Sequence, residues 1–137
     1  MTATMKIILF GFFALFGTSV LAQDDDLKEM MDMLHQTCVE KISINEDLIN
    51  RANKGDFVDD PNLKCYMKCI FVETSSMTED GAFDADATIA MMPDKIKGEA
   101  SKAINSCKGE SGADACEIAF NIHKCLYKAN PQLYFLI

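Results

Sequence analysis

Six cysteines (Cys38, Cys65, Cys69, Cys107, Cys116 and Cys125) and two histidines (His35 and His123) carry the most distinctive chemistry in this chain of 137 residues. A zinc site needs closely spaced thiolate or imidazole ligands converging on one point. The chain has no C-x-x-C and only those two histidines, so structural disulfides are expected and a metal is not. Hydrolytic chemistry has little to work with. His35 precedes Gln36 and His123 precedes Lys124, so neither forms the His-Asp pair of a secreted phospholipase. There is no G-x-S-x-G or H-E-x-x-H, and Asp80-Gly81-Ala82-Phe83-Asp84-Ala85-Asp86 fails the ligand order of a calcium-binding EF-hand. With the thiols paired no cysteine nucleophile remains. The residues argue against an enzyme, and no cofactor is expected.

The compartment follows from the first residues. Lys6, an apolar run over Ile7–Phe16 and the small-residue stretch ending Val20-Leu21-Ala22 have the layout of a secretory signal peptide. The run is shorter than the roughly 20 apolar residues of a membrane span. Cleavage after Ala22 leaves residues 23–137 as one domain, with 12 Lys and Arg against 21 Asp and Glu. That balance argues against nucleic acid and against anionic membrane surfaces, which attract basic faces, and membrane insertion is not expected. A secreted domain of this size commonly adds disulfides to a modest core.

Six cysteines allow 15 pairings. Cys65 and Cys69, four apart in an apolar stretch without Gly or Pro, share a helix face with Cβ atoms roughly 5–6 Å apart, beyond the ~3.8 Å of a disulfide. Cys116 and Cys125 fall on opposite faces of another helical pattern. Excluding both pairs leaves ten connectivities open.

The elements that position these residues read as all-α, with five to seven helices. Leu27, Met30, Met31, Leu34 and Cys38 form the stripe of a first amphipathic helix, with Asp24 to Asp26 at its start. Asn45 is a good N-cap and Gly55 a good terminator for a second. Asp59-Asp60-Pro61 opens a third, apolar on most sides and therefore central. Thr78–Phe83 reads as a loop, and Asp84 caps a short fourth helix running to about Met91. Pro93 suits the first turn of a fifth, with stripe Ile96, Ala100, Ala103, Ile104 and Cys107. The sixth, from about Ala113 to Ala129, has two apolar stripes, one of them Cys116, Ala119 and Phe120 with His123 next in line. Pro131 ends it, and Leu133-Tyr134-Phe135-Leu136-Ile137 closes the chain.

Five apolar residues on a free end are an aggregation liability if exposed. Burial stabilises by about 1.5–3 kcal/mol per side chain, against roughly 1–2 kcal/mol per residue for ordering the backbone. The tail is therefore expected to dock, either over an external groove or dimer contact, or inward as one wall of a cavity. Seven methionines after the leader suit an adaptable apolar lining, and a hydroxyl among Thr74, Ser75 and Ser76 is placed to meet a mostly apolar ligand.

The spacing C-x26-C-x3-C-x37-C-x8-C-x8-C after a signal peptide resembles the insect odorant-binding protein pattern, the pheromone-binding/general-odorant-binding family. The gaps from Cys65 to Cys69 and from Cys116 to Cys125 are its most diagnostic parts. Cys65-Tyr66-Met67-Lys68-Cys69 and the apolar end resemble the branch whose C-terminal segment folds back against the ligand. The resemblance implies six helices around an apolar cavity and the pairing Cys38–Cys69, Cys65–Cys116 and Cys107–Cys125. It also implies secretion into sensillar lymph and carriage of small hydrophobic odorants or pheromones. Protein partners it leaves open are an odorant receptor or a second copy of the chain.

The reading is a soluble extracellular carrier that reversibly binds a small hydrophobic molecule in an internal cavity. Stripe positions and the tail nominate Met30, Leu34, Ile49, Phe71, Ser76, Met77, Ile89, Met92, Ile96, Ile104 and Phe120 as its lining, with Leu133, Tyr134, Phe135 and Leu136 as a movable wall. On acidification the Ile137 carboxylate and His35 are expected to loosen that wall. The competing class is a secreted interaction module whose tail binds a partner or dimerises.

Overall fold

A computed structural model describes the backbone of residues 20–137 and the side chains from Asp24 onward. The expected leader, 1–22, lies outside the described residues except for Val20–Ala22, which are helical. The six helices are α1 (Val20–Ile42), α2 (Glu46–Asn53), α3 (Pro61–Glu73), α4 (Ala85–Ala90), α5 (Asp94–Cys107) and α6 (Ala115–Ala129). Between α3 and α4 a single antiparallel bridge joins Met77 to Phe83, and no strand occurs among the described residues.

Local chemistry sets the boundaries. Helix starts leave backbone N–H groups without intrahelical partners, and carboxylate or amide oxygens supply them here. Asn45 accepts from Asp47 N, Asp60 from Asn62 and Leu63 N, Asp84 from Ala87 N, and Asp114 from Glu117 N. Glu117 in turn accepts from Ala113 N, so α6 starts two residues later than the stripe suggested. Pro93 occupies the N-cap of α5 rather than its first turn. Asp24 to Asp26 lie within α1, which is described from Val20 onward. After α2, Gly55 takes φ +86°, and a Cβ there would sit 2.7 Å from the Tyr127 ring. The position requires glycine on both counts.

Helix α3 is the axis of the fold. Its Leu63, Tyr66 and Met67 are fully buried in a core shared with α1, α2 and α6. A smaller cluster, Ala85, Ala100 and Ile104, joins α4 to α5. The disulfides are Cys38–Cys69, Cys65–Cys116 and Cys107–Cys125, tying α1 to α3, α3 to α6, and α5 to α6. The pairing implied by the family resemblance is therefore the one the structure forms. No helix among the described residues is long and apolar enough to cross a membrane.

Candidate functional site

The two hydrophobic clusters share the partly buried Phe83 and Leu126. Between them lies a cavity of about 270 Å³, lined from α1 by Met31, from α3 by Ile70 and Phe71, and past the α3 end by Thr74 and Ser76. The other walls are Thr88, Met91 and Met92 around the end of α4, Ala100, Ala103 and Ile104 of α5, and His123, Leu126 and Asn130 on and after α6. Leu133 to Ile137 complete the lining. No Asp, Glu, Lys or Arg lines it.

The tail is held by side chains that stripe arguments do not reach. Asn53, the last residue of α2, donates from Nδ2 to the Leu136 carbonyl at 2.8 Å and accepts from Leu136 N at 2.7 Å. Leu136 itself is 2% exposed. The Tyr66 hydroxyl donates to the main-chain oxygen of Ile137. Tyr134 stands edge-on to Phe57 and Tyr127, with ring centroids 5.8 and 5.5 Å away. Leaving a partly buried backbone donor and acceptor unpaired costs about 1–3 kcal/mol. Asn53→Ala is therefore expected to speed dissociation of a bound apolar dye by about five- to 150-fold while the far-ultraviolet circular dichroism stays unchanged, measured by stopped-flow chase.

Tyr66 also meets His35, whose Nδ1 lies 2.9 Å from its oxygen, while His35 Nε2 lies 2.7 Å from Glu46 Oε1. Burial, and then the nearby Glu46 charge, push the Tyr66 phenol up, so it keeps its proton. These contacts link Glu46 of α2, His35 of α1 and Tyr66 of α3 to the main-chain oxygen of Ile137.

His123 is the buried histidine. It is buried at 5% exposure and stacked on Phe71 with centroids 4.5 Å apart. Its Nδ1 is 3.0 Å from the Tyr134 hydroxyl, and its Nε2 has no hydrogen-bond partner. Burial lowers its pKa from 6.5 to about 3. Between those values the unfolded chain binds a proton that the folded chain refuses, so stability falls as pH falls, by up to about 1.4 kcal/mol per pH unit. From pH 7 to pH 5 the expected loss is about 2 kcal/mol. Urea titrations at the two pH values check it, and His123→Phe should remove most of that difference.

Of the residues nominated from the sequence, Phe71, Ser76, Met92, Ile104, Leu133, Tyr134, Phe135 and Leu136 lie on the cavity wall. The others do not. Met30 is 44% exposed on the outer side of α1, and its neighbour Met31 takes the inner position. Leu34, Ile49, Met77 and Phe120 pack into the main core instead. Phe120 faces Phe57, and the Lys64 and Lys124 ammonium groups lie over its ring. Ile89 packs against the α4–α5 cluster and Ile96 is half-buried, both away from the wall. His123, Tyr66 and Asn53 were missed. Only His123 left a sequence signal, as the polar residue continuing an apolar stripe of α6.

Helices cross-linked by three disulfides around an apolar cavity, with the chain end as one wall, form the shell of a small-molecule carrier. Comparison with known proteins gives the same class. Residues 21–129 match the model of the PBP/GOBP family, and the chain belongs to that family of binding proteins. It is 31% identical over 115 residues to the B1 protein of Tenebrio molitor, covering 78% of this chain and 85% of that one. An odorant-binding protein structure from Locusta migratoria matches with TM-score 0.73 and 35% identity, over 77% of this chain and 83% of that chain. Odorant-binding protein 4 of Chrysopa pallens matches with TM-score 0.76 and 32% identity, over 83% and 98%.

Proposed function

We propose that this protein is a secreted carrier that takes up one small hydrophobic molecule of the odorant or pheromone type and holds it between α3, α5, α6 and the tail. The observation that carries the reading is the apolar cavity of about 270 Å³, with Leu133 to Ile137 as one of its walls. Burying an apolar guest there releases about 25 cal/mol for each Å² of apolar surface removed from water. Phe71, Met92, Ile104 and Leu136 supply apolar contact, and Ser76 and His123 supply polar selectivity. The chain is made with a leader removed after Ala22 and acts outside the cell, in sensillar lymph where the producing tissue is an antenna. It works by binding and release, without catalysis.

The competing reading, a tail that docks on a partner or on a second copy, has less surface to use. Leu136 is already buried inside the molecule, and Phe135, at 62% exposure, is the tail residue most open to solvent. Titration of the oxidised protein with N-phenyl-1-naphthylamine decides between them. One saturable site per monomer, with the sedimentation coefficient independent of concentration, is expected. A tail-dependent dimer with no saturable dye binding would overturn the carrier reading.

A further inference from the structure

Building on the carrier reading, we propose that the cavity selects ligands bearing a carbonyl group, as in a ketone, aldehyde or ester, through a hydrogen bond donated by His123 Nε2–H. His123 lines the cavity at 5% exposure, and its Nε2 is the one buried side-chain nitrogen or oxygen without a hydrogen-bond partner among the described residues. Buried polar atoms are normally paired, so an orphan within a residue of the cavity wall marks where a guest's polar atom belongs. Nε2 is itself enclosed, and a guest's oxygen reaches it by displacing a neighbouring side chain of the wall.

The tautomer follows from proton counting. Tyr134 has one hydroxyl proton, and its one side-chain hydrogen bond is to His123 Nδ1, at 3.0 Å. If Nδ1 carried the ring proton, the Tyr134 proton would be left without an acceptor in a largely buried position. If Tyr134 donates to Nδ1, every group is satisfied except one, and the ring proton sits on Nε2. Burial supports this arrangement by keeping the phenol protonated and the imidazole neutral. Phe71, stacked at 23° and 4.5 Å, fixes the ring plane, and Tyr134 closes the opposite edge, so the direction of the Nε2–H bond is set before any ligand arrives.

A neutral donor in a wall without Lys or Arg sets the class of ligand further. A carboxylate would enter without a countercharge and lose its hydration, which is expensive. An alcohol can accept from Nε2–H but brings its own proton, which must find a second partner in the wall. A carbonyl oxygen has only an acceptor to satisfy.

The test is displacement of N-phenyl-1-naphthylamine by 2-decanone and by 2-methyl-1-decene, which replaces the C=O by C=CH2. Both are run on the wild type, on His123→Phe and on Tyr134→Phe, with 2-decanol as a third competitor. His123→Phe is expected to weaken 2-decanone by about tenfold and to change the alkene by less than about twofold, the size of effect expected for one hydrogen bond to a buried group. Tyr134→Phe keeps the ring but frees the tautomer, so the preference for 2-decanone over 2-decanol should shrink. Equal weakening of ketone and alkene in His123→Phe would overturn the proposal. Failure of both competitors, with no saturable dye site on the wild type, would instead sink the carrier reading. Should His123→Phe not fold, long-range proton–nitrogen correlation on the wild type decides. Protonation at Nε2 upholds the assignment, and protonation at Nδ1 refutes it.

Discussion

Ending the chain at Gln132 is expected to weaken binding of N-phenyl-1-naphthylamine by at least a hundredfold, which corresponds to about 2.7 kcal/mol. Leu133 to Ile137 supply one whole side of the cavity, and Leu136 is buried in the main core as well as lining the void. Without them Phe71, His123 and Ile104 face a water-filled cleft, and a guest would bury far less apolar surface at about 25 cal/mol per Å². The truncation also strands the Tyr66 hydroxyl and the Asn53 amide, whose tail partners are lost. Some loss of stability therefore accompanies the loss of affinity. Thermal unfolding and dye titration on the same sample separate the two. Unchanged affinity in a folded truncated protein would mean that the tail is not a wall of the site.

Breaking Cys65–Cys116 by replacing both residues with Ala should be the most destabilising of the three disulfide removals. It spans 51 residues, against 31 for Cys38–Cys69 and 18 for Cys107–Cys125. Loop-closure entropy assigns it about 4 kcal/mol, and the shortest loop about 3 kcal/mol. A domain of this size has a total stability of about 5–15 kcal/mol, so the first variant should keep only a reduced margin of stability and unfold at a clearly lower urea concentration. Affinity should follow a different order. Cys107–Cys125 fastens α5 to α6, and both helices line the cavity, so its loss should weaken dye binding more than its stability effect predicts. Urea midpoints and dye titrations at 15 °C on all three pairs test both orders.

Much of this architecture is legible in the amino-acid sequence, for reasons that are local. Asn45, Asp60 and Asp84 mark helix starts because a short polar side chain can reach back to free N–H groups. Cys65 and Cys69 sit one helical turn apart, so they must serve two different partners, and the apolar tail has to go somewhere. What periodicity does not say is whether a buried face meets another side chain or an empty space. Ile49 and Phe120 are buried as their stripes require, yet they pack against core residues, while Ile70, Ala103 and Leu126 border the void. Met30 and Met31 fit the same stripe, and only the crossing of α1 over the cavity decides which turns inward. Asn53 and Tyr66 meet the tail across 83 and 71 residues, pairings with no local signature.

The most direct test is an isotope-filtered nuclear Overhauser experiment on carbon-13-labelled protein carrying unlabelled 2-decanone. Cross-peaks from the ligand to the methyl groups of Met31, Met92, Ile104 and Leu136 are expected, with none to Ile44 or Ile49. Contacts confined to the outward-facing Met30 and Met33, or no intermolecular cross-peaks at saturating ligand, would contradict an internal site closed by the chain's own end.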